Sequence, residues 1–237
     1  ATEKKIPVIH VIRNAEAVAE FTIGLILAET RNIARASAAI TSGGWQKDFA
    51  NSRFTKTLKG QTLGIVGLGH IGRVTALKAQ SLGMKIAGYD PYVSEEVLQD
   101  AGLKVERMEL DELFRSADIV SLHLRATKET EGMIGKELLE QMKPEAYLIN
   151  TARASVIVKE DLYQVLAAKK IGGAALDVFW EEPLPADDPY RKLDNVTLTT
   201  HLAGTVVDAL PKSPFLLADV INEYLAMGRS AMQVNPF

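Results

Sequence analysis

The chain has 237 residues, 47% of them hydrophobic and 24% charged, and a formal net charge of −3. That length holds one large domain, or one domain with pieces of another, and the charge offers no broad basic field for nucleic acid. The absence of cysteine excludes disulfides and thiolate metal sites and suits a cytoplasmic setting, while the most apolar run, residues 21–28, falls far short of the roughly 20 residues that cross a bilayer.

Residues 5–11 (KIPVIHV) read as a short strand, which Pro7 places at an edge or a chain entry. Residues 15–40 are alanine-rich and predict one long helix closed by Ser42-Gly43-Gly44. Within it, FTIGLILA is apolar on most sides, as in a helix buried at an interface. Residues 45–59 are polar and aperiodic, a loop.

From Gln61 onward short apolar runs alternate with helical segments. Strands are expected at 62–66, 85–89, 119–124, 147–149, 174–179 and 196–200, and helices at 71–82, 109–115, 136–142 and 159–169. Gly83 and Pro144 stop two of these helices. Such alternation predicts an α/β fold: a doubly wound parallel sheet, Rossmann-like, with helices on both faces. Residues 216–228 form a last amphipathic helix, which Pro211 and Pro214 are expected to precede because proline does not sit mid-helix. The closing QVNPF carries no assignment.

Residues 63–72 read LGIVGLGHIG, a GxGxxG at Gly67, Gly69 and Gly72 with a hydrophobic strand before it and a helix after it. Gly67 permits a tight turn, Gly69 lets a pyrophosphate approach the backbone, and Gly72 lets the helix pack close to the strand. The helix start at His70 and Ile71 then presents amides and the positive dipole end to phosphates. The next strand ends KIAGYDP, placing Asp90 about 20 residues further on, where a carboxylate accepts from a ribose 2′-hydroxyl and repels a 2′-phosphate. This favours NAD over NADP; Asp90-Pro91 as a plain turn is the alternative.

Further polar residues stand at the carboxyl ends of later strands: Thr151 and Arg153, Asp177 and Glu182, and His201. Taken singly, each is adequately explained as a solvated loop residue. In order, however, NTAR, LDVFWEEPLP and NVTLTTHLAGT, behind GLGHIG and YDP, resemble the D-isomer-specific 2-hydroxyacid dehydrogenases from about residue 15 to about Thr205. The resemblance implies NAD as cofactor, a small 2-hydroxy or 2-oxo acid as substrate, and a catalytic set of Arg153, Glu182 and His201. Arginine binds a carboxylate through two parallel bonds, histidine exchanges a proton near neutral pH, and a carboxylate beside it favours the imidazolium. The resemblance further puts Asp177, Thr151 and Ala152 beside the nicotinamide and residues 123–126 (HLRA), with Leu124, on the adenosine side. Asp177 has an alternative role, bonding backbone amides of a turn.

The chain departs from the family wording at Ala154 and Ser155 after the arginine, at Thr200 before the histidine, at Val158 where an acid commonly starts the next helix, and at Arg125 where proline is common. Family chains are typically about 100 residues longer, in line with a second domain. The expected division is therefore 1–13 as a remnant of the substrate domain, 14–59 as a linking and interface helix with its loop, 60–205 as the dinucleotide-binding domain, and 206–237 as a helix returning to the substrate domain. A homodimer through residues 15–40 and Trp45 is implied as well. Such a chain is expected to fold and bind NAD but to turn over poorly alone. The competing reading is an NAD-responsive, corepressor-like binding module on the same fold.

Overall fold

The computed structural model describes residues 1–9, 11, 14–230, 232, 233 and 235. Seven strands, β1 (Thr62–Val66), β2 (Lys85–Tyr89), β3 (Glu106–Arg107), β4 (Ile119–Leu122), β5 (Tyr147–Asn150), β6 (Gly173–Leu176) and β7 (Val196–Leu198), form one parallel sheet in the order β3-β2-β1-β4-β5-β6-β7. Every residue of β4, β5 and β6 is buried, which is why these strands read as unbroken apolar runs: both faces are covered. The helices are α1 (Ala15–Thr30), α2 (Ile33–Thr41), α3 (His70–Ser81), α4 (Glu95–Asp100), α5 (Leu110–Ser116), α6 (Lys136–Leu139), α7 (Lys159–Ala167) and α8 (Ala209–Met227).

Alternation along each strand divides the core in two. Tyr147 and Ile149 of β5 pack with Leu25 and Ile26 of α1 and with Ala76 and Ala79 of α3. Leu148 between them packs with Phe114 of α5 and with Leu162 and Val165 of α7. Gly64 sets the spacing on that second face, because a Cβ there would stand 2.6 Å from Leu113 Cδ2 and 3.0 Å from the Ala117 methyl.

The parallel doubly wound sheet is as expected, and four details differ. The single helix at 15–40 is two helices, broken where Asn32 adopts a left-handed φ of 56°. Asparagine tolerates that conformation, and Arg35 ties the break together by donating from Nη1 to Asn32 Oδ1 at 3.1 Å. The short α4 and the two-residue β3 are additions: β3 is wholly exposed and α4 buries only Leu98, so neither leaves a hydrophobic period in the sequence. The last helix begins earlier than residue 216 and contains Pro214. Pro211 falls in its first turn, where the amide has no intrahelical partner to lose, and Pro214 forfeits one bond of a long helix. Residues 5–9 form no strand; Ile9 makes an isolated antiparallel bridge to Gln233, and Val8 N–H donates to Asn235 Oδ1 at 2.7 Å. His10, and the ends of the 1–13 and 206–237 segments, include positions outside the described residues.

Glu29, which bounds the apolar run of α1, is fully buried. Its carboxylate accepts from Arg35 Nη2 at 2.9 Å on both oxygens, from Thr197 Oγ1 of β7 at 2.6 Å, and from Asn51 Nδ2 at 3.2 Å. These bonds fasten α1 and α2 to the far edge of the sheet. Desolvation pushes the Glu29 carboxyl up to about 7, against the pull of Arg35. Between its ordinary 4.5 and about 7 the folded state holds more protons than the unfolded one. Glu29's contribution is therefore complete at acid pH and is lost as pH rises through 7. The melting temperature of the wild type should accordingly fall, relative to that of Glu29→Gln, between pH 5 and 8; parallel melting curves across that range would contradict this.

Candidate functional site

The strand order reverses direction between β1 and β4, the position at which an open α/β sheet opens a crevice beyond its strand ends. A cleft of about 710 Å³ lies there, and its walls include Gly69, His70, Ile71, Leu124, Thr151, Ala152, Arg153 and His201.

The glycine loop is shaped by contacts from below. Gly67 has φ 96°, and a Cβ on it would stand 2.8 Å from His123 O. A Cβ on Gly72 would collide with Gly67 O, so α3 starts tight against the loop. Gly69 differs: a Cβ there would meet no protein atom within 4 Å, so nothing inside the chain demands a glycine. That open backbone, on the cleft wall at the start of α3, fits a pyrophosphate.

Asp90 directly follows β2. Its Oδ2 accepts from Leu68 N–H at 2.8 Å, in the middle of the glycine loop, while Oδ1 accepts from Tyr92 and Val93 N–H at 2.8 and 3.1 Å. Asp90 thus forms the turn, and a carboxylate that offers about four acceptor sites keeps capacity for a further donor. Across the loop, His123 Nε2 lies 2.9 Å from Ser121 Oγ, and enclosure of the ring pushes its pKa down to about 4. His123 is therefore neutral at ordinary pH.

At the end of β5, Asn150 staples the turn that presents Arg153. Its Oδ1 accepts from Ala152 N–H at 2.9 Å and its Nδ2 donates to Arg153 O at 3.0 Å. The exposed guanidinium donates to Ala152 O at 2.6 Å, and among the described residues no carboxylate lies within ion-pair distance of it. Thr22 of α1 spends its proton on Val18 O at 2.7 Å, so in the 2.9 Å contact with Thr151 it is Thr151 that donates. Thr151 keeps its lone pairs for the cleft. Ala154 and Ser155 lie in a short 3-10 turn, with Ser155 O accepting from Gly132 N–H at 2.8 Å. Val158 stands at the start of α7 without a side-chain cap.

His201 and Glu182 meet although 19 residues separate them, with Nδ1 to Oε2 at 2.7 Å. Phe179 N–H donates to the other oxygen, Oε1, at 2.9 Å and fixes the carboxylate behind the ring. The hydrogen bond to His201, with smaller help from Phe179 N–H and Arg153, holds the Glu182 carboxyl below its ordinary range. His201 itself has φ 58°, a left-handed conformation that costs a non-glycine residue about 1–2 kcal/mol.

Asp177 holds that turn. It is fully buried at the end of β6, and Oδ1 accepts from Thr199 Oγ1 at 2.6 Å and Leu202 N–H at 2.9 Å while Oδ2 accepts from Ala203 N–H at 2.9 Å. Asp177 is not among the residues that line the cleft; its carboxylate bonds the turn around His201. Of the expected set, Arg153, His201, Thr151, Ala152, Leu124 and the loop from Gly69 to Ile71 line the cleft; Gly67, Gly72, Asp90 and Glu182 are not among its lining residues, Asp90 being bonded to Leu68 of the loop and Glu182 to His201. Asn150 and Thr199 were not among the expected residues. Asn150 carries a local signal, an Asx residue two positions before the amide it accepts, whereas the partner of Thr199 is 22 residues away.

The model of the D-isomer specific 2-hydroxyacid dehydrogenase NAD binding domain matches residues 23–203. A glyoxylate reductase of Thermofilum pendens is 45% identical over 207 residues, covering 86% of this chain and 60% of the relative. A D-3-phosphoglycerate dehydrogenase of Methanocaldococcus jannaschii is 40% identical over 227 residues, covering 95% and 42%. The chain therefore spans roughly half the length of these curated relatives. Among solved structures, D-lactate dehydrogenase from Aquifex aeolicus complexed with NAD and lactic acid superposes with a TM-score of 0.80 at 29% identity, covering 100% of this chain and 75% of that one. No helix among the described residues is long and apolar enough to cross a membrane. The chain belongs to the D-isomer specific 2-hydroxyacid dehydrogenase family and carries its NAD-binding domain.

Proposed function

We propose that this chain is the cofactor-binding and proton-transferring half of an NAD-dependent reductase of small 2-oxo acids, the reverse reaction oxidising D-2-hydroxy acids. The observation that carries this reading is His201, bonded to Glu182 at 2.7 Å, on the same cleft as Arg153, which has no carboxylate within ion-pair distance among the described residues. NAD, when bound, supplies or accepts the hydride. Its pyrophosphate is assigned to the open backbone at Gly69 with the start of α3 at His70 and Ile71, its adenosine ribose to Asp90 and its adenine to the side of Leu124. Its nicotinamide is assigned to the end of β5 and β6, at Thr151 and Ala152 above Asp177.

The chain's own groups supply the remaining chemistry. Arg153, turned outward by the Asn150 staple, binds the substrate carboxylate and polarises the adjacent carbonyl. His201 donates a proton from Nε2 to the developing alkoxide, since Nδ1 is engaged by Glu182. Glu182 stays ionised and holds the ring in that tautomer and orientation. Asp177 acts one layer further back, keeping the strained His201 turn in place. A homodimer is proposed through α1, α2 and the following loop, supported by Ile33, Ile40 and Trp45, which are 54%, 53% and 80% exposed.

In the full-length parent, assayed with NADH against a panel of 2-oxo acids, Arg153→Ala should lower kcat/KM by about a hundredfold or more. His201→Ala should lower kcat by about 10²–10⁴-fold. Wild-type rates in both variants would contradict the assignment. Glu182→Gln should lower kcat more than it raises KM, because the ring loses the carboxylate that orients it; an unchanged kcat would count against the pair. Asp177→Asn, which turns one acceptor into a donor facing backbone amides, should lower kcat while the Kd for NADH changes little. A defect confined to NADH affinity would instead place Asp177 on the nicotinamide.

A further inference from the structure

Arg107 belongs to β3, the exposed two-residue edge strand that contributes nothing to the core. Its backbone pairs with Gly88 of β2, and its side chain reaches past the end of that strand. Nη2 donates to Asp90 O at 2.6 Å and Nη1 to Val93 O at 2.5 Å. The same turn is closed from within by Asp90 Oδ1, which accepts from the Tyr92 and Val93 amides, while Oδ2 accepts from Leu68 N–H. A continuous set of bonds therefore runs from Arg107, through the turn at residues 90–93, to the Asp90 carboxylate and the glycine loop.

We propose that Arg107 is a positioning residue for the adenosine ribose: by clamping two carbonyls of the turn it fixes the Asp90 carboxylate against the glycine loop and so sets the preference for NAD over NADP. The fork geometry suits this task, since a planar guanidinium takes two carbonyls at once whereas a lysine ammonium is a single point of attachment. Without the clamp the turn keeps only the bonds that Asp90 itself supplies. Its carboxylate is then held less firmly against the loop, weakening acceptance of a 2′-hydroxyl and rejection of a 2′-phosphate together. The same guanidinium, if it reached the ribose directly, would favour the 2′-phosphate instead, so the two roles predict opposite changes. The proposal rests on the assignment of Asp90 to the ribose.

The test uses the 237-residue chain with Arg107→Ala, Arg107→Lys, Asp90→Ala and the Arg107→Ala/Asp90→Ala pair. Amide hydrogen exchange is read without cofactor, and NADH and NADPH are titrated by nicotinamide fluorescence. Arg107→Ala should speed exchange at Tyr92 and Val93, weaken NADH binding about fivefold, and narrow the ratio of NADPH to NADH dissociation constants. Arg107→Lys should fall between it and the wild type, and it remains informative if the alanine variant does not fold. In the Asp90→Ala background, Arg107→Ala should bring no further loss. An unchanged NADH Kd in Arg107→Ala, an added loss in the Asp90→Ala background, or a loss confined to NADPH would each overturn the clamp. If Asp90→Ala itself leaves NADH binding unchanged, the ribose assignment falls with it.

Discussion

Parallel pairing in one continuous sheet, from Glu106 of β3 to Leu198 of β7, forces every strand to release its chain at the same edge. Most of the polar residues proposed for the site sit within a few residues of those releases: the glycine loop after β1, Asp90 after β2, Arg153 after β5, Asp177 after β6 and His201 after β7. The strands are largely apolar because both faces are covered, which leaves the strand ends as the main place for polar groups. The order reversal at β1 and β4 then opens the crevice between two of the releases. Sequence-distant residues meet there.

Within that edge the His201 turn depends most on a supporting shell. A left-handed histidine is unfavourable alone, and it persists because the buried Asp177 carboxylate takes three donors from residues 199–203. The resulting ring position is what lets Nδ1 reach Glu182, itself anchored by Phe179 N–H. Arg153 is held by a parallel device, the Asn150 side chain bridging both ends of its turn. In both places an Asp or Asn at a strand terminus bonds the backbone that carries a side chain proposed for the chemistry. The site is therefore preorganised from below, while the reactive groups themselves remain solvent-facing.

Much of this is legible in the sequence because it is local or periodic. The alternation of apolar runs and helices reveals the sheet, and the glycine spacing reveals the loop at Gly67–Gly72. What escapes is long-range or polar. Glu29 reads as the polar end of an apolar helix, yet its partners are Arg35, Asn51 and Thr197, the last 168 residues away. The break at Asn32 depends on the same Arg35. β3 has no hydrophobic pattern, since its two residues are exposed and its role is carried by the backbone and by Arg107. The three motif segments bearing Arg153, Glu182 and His201 suggest a set by family likeness, but the depth of Asp177 and the reach of Thr199 follow only from the packed turn.

The central claim is that the crevice at the β1–β4 reversal is the nicotinamide dinucleotide site of this chain. Titrating NADH into the isotope-labelled 237-residue chain and following backbone amide chemical shifts tests it most directly. Saturable one-to-one binding is expected, with the largest shifts at Leu68 to Ile71, at Asp90 and at Thr151 to Arg153. Shifts that fail to saturate, or that gather away from these strand ends, would contradict it.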